Sequence, residues 1–185
     1  MQRTCETTLH MTENLGICPK FVIVHPDIYE TGGIYTSGKG GQRVGPGKCL
    51  SAHEIRERFA YDTSLLPAFG GWYKGSWETD GEGRHRAKRV ADWLTSESFH
   101  NHHKGRTVVL VMHAHFIDQL TKQLLCIKDD PRLDGMASNN VFQQRVKFFS
   151  PNTAMSTFDI SPRSVAMRLF GSTEHLEASA SFSRL

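Results

Sequence analysis

Apolar residues are not spread evenly along the chain, and their spacing predicts most of its elements. The run Thr107-Val-Val-Leu-Val-Met112 is continuous and β-branched, which predicts a fully buried strand of the parallel kind. Immediately after it, Phe116, Ile117, Leu120 and Leu124 recur at helical steps, so His113-Ala114-His115 falls where a strand end becomes a helix. A second short strand is expected at Phe21-Val-Ile-Val24, closed by His25-Pro26. Before it, Cys5, Thr8, Leu9, Thr12 and Leu15 form a helical stripe ended by Gly16 and Pro19. No capping residue precedes this first helix, which raises the expectation of a chain shortened ahead of Met1.

Other boundaries follow from local signals. Ser51-x-x-Glu54 has the capping-box pattern and predicts a helix through Ala60. Between Asp80 and Glu97, Ala87, Val90, Ala91 and Leu94 share one face, while Arg84, Arg86, Lys88 and Arg89 read as the wet remainder of an amphipathic helix. Thr153 to Ile160 and Val165 to Phe170 flank Ser161-Pro162-Arg163 and predict a hairpin. From Glu30 to Lys48 there are seven glycines and few apolar residues, the mark of a functional or mobile loop.

The alternation of strands and helices implies an α/β fold: three layers, with a largely parallel sheet flanked by helices. At 185 residues one domain is expected, over 1–176, with a loose Ser- and Ala-rich tail at 177–185. Composition narrows this little, since 38% hydrophobic and 22% charged residues are ordinary for a globular protein. A formal charge of +3, without a concentrated basic stripe, argues against a nucleic-acid partner and suits a small anion. Four scattered cysteines suggest reduced thiols, and the absence of a long apolar run suggests no membrane segment and a cytoplasmic protein.

A histidine at a strand–helix junction stands beside free helix amides and the positive end of a helix dipole, a setting suited to phosphate. Val108-Val-Leu-Val-Met-His113-Ala-His-Phe-Ile117 resembles the segment around the second histidine of the histidine-phosphatase (phosphoglycerate-mutase-like) superfamily. Ala114 and His115 stand at two positions where that family usually has glycine. Gln2-Arg3-Thr4-Cys5-Glu6-Thr7 resembles the helix start carrying the family's phosphate-gripping arginine. Likewise, Pro26-Asp-Ile-Tyr-Glu30-Thr-Gly-Gly33 resembles the segment with its general-acid glutamate. Trp77-Glu78, Pro151-Asn152-Thr-Ala-Met-Ser156 and Glu174-His175-Leu176 continue the order, so the resemblance runs from Arg3 to Leu176.

The resemblance implies the phosphoglycerate-mutase-like fold, N-terminally incomplete, and a phosphatase or phosphomutase activity without cofactor or metal. It assigns His113 and Glu30 to catalysis, and Arg3, His113 and Ala114 to phosphate binding, with a phosphorylated small molecule or phosphoprotein as partner. The family's nucleophile lies in an Arg-His-Gly triplet, which this sequence does not contain. Two alternatives therefore accompany the enzyme: a truncated form, or a non-catalytic pseudo-enzyme that only binds a phosphate ester. A rival from another class is a zinc metallohydrolase using His113 and His115, against which Asp118 falls one residue late for the usual H-x-H-x-D spacing.

Overall fold

The computed structural model describes residues 2–34, 36–37, 43–44, 47, 49–68, 72–73, 75, 77–127 and 146–176. Helix α1 spans Gln2–Leu15 and buries Cys5, Thr8 and Thr12 of the expected stripe, with Leu9 partly buried and Leu15 exposed. A 3-10 turn, Pro19–Phe21, follows. Two short strands, β1 (Thr36–Ser37) and β2 (Arg43–Val44), pair antiparallel within the glycine-rich stretch.

Helix α2, Ala52–Phe59, begins with a complete capping box. Ser51 Oγ accepts from the Glu54 amide, and Glu54 returns the contact to the Ser51 amide. Helix α3, Asp80–Leu94, starts with the same device built from Thr79 and Glu82. The short helix α4 covers Glu97–His103, and α5 covers Ala114–Leu124. Strands β3 (Met155–Ser161) and β4 (Ser164–Ser172) form the predicted hairpin, with Ser161 opposite Ser164 across the turn.

Burial is organised around two clusters. In one, Cys5 of α1 meets Ile55 and Phe59 of α2 together with Val24 and Tyr61. In the other, Ala87, Val90, Ala91 and Leu94 of α3 pack on Phe116, Leu120 and Leu124 of α5, while Leu110, Met112, Ile160 and Val165 close its sides. Gly83 sets the approach of α3 to its neighbours: a methyl group there would stand 2.7 Å from Gln119 Oε1 and 2.9 Å from Thr31 Cγ2.

The expected three-layer fold with a largely parallel sheet is not what the chain forms, and with it falls the phosphoglycerate-mutase-like architecture. Among the described residues the only sheets are two antiparallel pairs, β1-β2 and β3-β4. Both segments read as buried strands, Thr107 to Met112 and Phe21 to Val24, lack the ladders that such strands need. Thr107 to Met112 has no assigned strand, and its Val108 and Val109 are 40% and 62% exposed. Phe21 belongs to the 3-10 turn, and Ile23 makes a single parallel bridge to Asp62. An apolar β-branched run favours extended backbone, but a sheet arises only where neighbouring strands meet both edges.

Candidate functional site

The run ending at Met112 delivers His113 to the start of α5 as its N-cap residue, in extended backbone (φ −109°, ψ 154°). Its side chain makes no capping hydrogen bond, so the ring is not committed to its own helix. Burial, followed by the positive charges of the chain's amino terminus and of Arg3, pushes the His113 pKa down to about 4. The imidazole is therefore neutral at pH 7. Arg3, on the first turn of α1, is exposed and acts on His113 through its charge. Among the described residues no hydrogen bond engages its guanidinium.

Glu30 is brought to the same helix start. Its Oε1 accepts from the Phe116 amide at 3.1 Å and from the Thr31 amide at 2.8 Å. The carboxylate thus caps α5 from a distant part of the chain, where the helix dipole favours negative charge. Ala114 and His115, the first two helical residues, are both exposed, and among the described residues no hydrogen bond engages their amides. The structure therefore gathers Glu30, His113 and Ala114 at one helix turn, with the charge of Arg3 close by.

What holds Glu30 there was not among the expected residues. Arg86, read from the sequence as part of a wet basic face, is 1% exposed, and Arg84 is buried as well. Arg86 grips Glu78 with two bonds, Nε to Oε1 at 2.8 Å and Nη2 to Oε2 at 2.6 Å. Its Nη1 donates to the carbonyls of Asp27 and Tyr29 at 2.8 and 2.9 Å. The guanidinium lies over the rings of Tyr29 (3.6 Å to the centroid) and Phe116 (4.3 Å). Glu78 also accepts from the Gly32 amide and the Tyr29 hydroxyl. Burial raises the Tyr29 hydroxyl to about 12 against the opposing charge of Arg86, with Glu78 adding to the rise.

One buried ion pair thus fixes residues 27 to 32 against α3 and α5, and so sets the position of Glu30. A signal for it existed in the sequence. Arg86 stands three residues after Gly83 and four before Val90, on the stripe that packs inward.

Asp118, the acid nearest the His113-x-His115 pair in sequence, is committed elsewhere. That carboxylate is buried and used on both oxygens, by Lys122 Nζ at 2.8 Å and by the Phe148 amide at 2.7 Å. His115 is exposed on α5, and among the described residues no three potential ligands converge on a metal position. His25, at the end of the other apolar run, accepts from the Asp27 amide through Nδ1 at 3.1 Å and stacks on Trp93. Burial lowers its pKa.

No family model, curated protein or solved structure matches the chain. What the site does is accordingly argued from its own groups. Among the described residues no helix is long and apolar enough to cross a membrane. The tail at 177–185 lies outside the described residues, as does most of the segment from Thr31 to Lys48 beyond Ile34.

Proposed function

We propose that this chain binds a phosphate ester at the start of α5, with His113 and the first-turn amides as its ligands and Arg3 as the balancing charge. One observation carries the reading: a tethered carboxylate, Glu30, already rests on the third amide of this turn, while among the described residues no hydrogen bond engages the amides of Ala114 and His115. Glu30 shows that this helix start accepts an anion; a phosphate beside it would meet the repulsion of that carboxylate, which the Arg3 charge has to offset. The electrostatic setting agrees in one respect, because the Arg3 charge that helps depress His113 is one an incoming phosphate would neutralise. The likeness of the His113, Arg3 and Glu30 segments to histidine-phosphatase motifs supports the same ligand class. Binding is the activity we assign, since Glu30 Oε1 is engaged by two backbone amides.

Titration with inorganic phosphate, followed through the His113 ring proton signals, tests this. A phosphate dianion in hydrogen-bond contact is expected to raise the His113 pKa by about 1–3 pH units, and Arg3→Ala should weaken the effect. A His113 signal that ignores phosphate at millimolar concentration sinks the reading.

A further inference from the structure

The run from Thr107 to Met112 carries backbone that the fold leaves unpaired. It is bounded at one end by Arg106, whose amide donates to the His103 carbonyl at 2.9 Å, and at the other by His113, whose carbonyl accepts from the Ile117 amide at 2.9 Å. Between these, among the described residues, no hydrogen bond engages any amide or carbonyl. Leu110 and Met112 pack against the cluster of α3 and α5, while Val111 between them lines a cleft with Val22 to Val24. That alternation is the period of two of an extended chain, so Val109 leaves on the side of Val111 and away from the cluster. It is 62% exposed, and Val108 is 40% exposed.

A free edge of this kind is a template for another strand. Proteins blunt such edges with charged side chains, proline or a bulge, yet no charged residue and no proline stands between Arg106 and His113. Thr107, Val108, Val109 and Val111 are β-branched, the residue type that pairs well across an antiparallel ladder.

The pattern fits a second copy of the same run, laid antiparallel about a two-fold axis at Val109. Val109 then meets its own copy, Val108 falls opposite Leu110, Thr107 opposite Val111 and Arg106 opposite Met112. Residues opposite one another in such a pair share a face, so Leu110 and Met112 of both copies stay on the core side. Charge decides the direction. Lys104 and Arg106 both stand at the N-terminal end of the run. Parallel pairing would bring each beside its own copy, whereas the antiparallel register sets the two Arg106 positions about 20 Å apart, well beyond the screening length of about 8 Å. A two-fold contact uses one edge of each copy and closes at the dimer.

We propose that Thr107 to Met112 is the contact edge of a homodimer, in which two copies pair this run antiparallel around Val109. The paired stretch is short, so the dimer is weak and concentration-dependent, with a Kd of about 10–300 µM. The pairing needs no ligand at His113.

Sedimentation velocity of the full chain over about 5–500 µM tests this. A monomer–dimer equilibrium is expected, and amide exchange within Thr107 to Met112 should slow as the concentration rises. Val109→Lys, at an exposed position, should weaken dimerisation about tenfold or more, since it sets two like charges opposite each other. Val109→Asp alone should do the same, and an equimolar mixture of the two variants should recover a dimer. Should either variant fail to fold, the slowing of exchange in the unaltered chain decides, and its absence overturns the inference. A chain that stays monomeric to about 500 µM, its edge bare or kept for a foreign strand, also overturns it. So do a dimer that Val109→Lys leaves intact, a mixture that stays monomeric, and assembly that continues past the dimer.

Discussion

Breaking the Arg86–Glu78 pair is the most direct probe of how the site is held. Both side chains are almost wholly buried, at 2% and 8% exposure, so neither can turn to water when its partner is lost. Removing one member of such a pair costs about 3–5 kcal/mol, because the remaining charge is stranded. Arg86→Met also strips the Asp27 and Tyr29 carbonyls of their donor, at roughly 1 kcal/mol each if they stay dry. It belongs near the upper end of that range. Glu78→Gln keeps the size and one acceptor oxygen, which places it near about 3 kcal/mol.

The double variant removes both charges and should lose less than the sum, by about 2 kcal/mol or more of coupling. Urea unfolding followed by tryptophan fluorescence and circular dichroism measures all three. With a slope of about 2 kcal/mol per molar, a loss of 3–4 kcal/mol lowers the midpoint by roughly 1.5–2 M. Hydrogen exchange adds a local reading, since Arg86→Met should also speed exchange at Phe116, whose amide is capped by Glu30. The reasoning is refuted if either single variant costs under about 1 kcal/mol, or if the two effects simply add.

Two further outcomes are expected. In the unfolded chain His113 takes a proton near 6.5 and in the folded chain near 4, so between those values the unfolded state binds more protons. Stability should fall as pH drops from 6.5 to 4 and level off below. The ceiling is about 3 kcal/mol, reduced by solvent screening at a half-buried ring to ~1–2 kcal/mol. His113→Gln should flatten part of this slope, with the rest carried by His25, which is shifted the same way; an unchanged slope would contradict the assignment. Gly83→Ala should lower the melting temperature, because crowding against Thr31 and Gln119 costs about 1–3 kcal/mol and outweighs the ~1 kcal/mol gain in helix propensity. A stabilised variant would show that α3 and α5 are not so close.

Elements whose determinants lie within a few residues were legible in the sequence. The Ser51-x-x-Glu54 box, the Ala87 to Leu94 face and the Ser161 turn each carry their own instructions, and the structure forms all three. The sheet was not legible, because a ladder is a relation between segments. The apolar content of Thr107 to Met112 says only that the run prefers extended backbone, not what pairs with it. At the site, His113 stood out by its place after an apolar run and Glu30 through the family resemblance, and Glu30 caps the helix that His113 begins. The role of Glu30 as a cap was hidden by the 86 residues that separate it from Phe116. Arg86 was misjudged because a charge at a stripe position was assigned by its type rather than by its place on the helix.

The cap on α5 also bears on how the chain folds. A helix that carries its own capping side chain, as α2 and α3 do, can complete its first turn while the rest of the chain is still unstructured. The first turn of α5 cannot, since His113 offers it no side-chain bond and its acceptor arrives from Glu30 only after a long loop has closed. That loop is in turn oriented by Arg86, which bonds backbone 57 and 59 residues away from it. Local helices should therefore form early in folding, and the start of α5 should set late. The groups proposed to meet ligand would then be the last to be assembled and the first released when the domain begins to open.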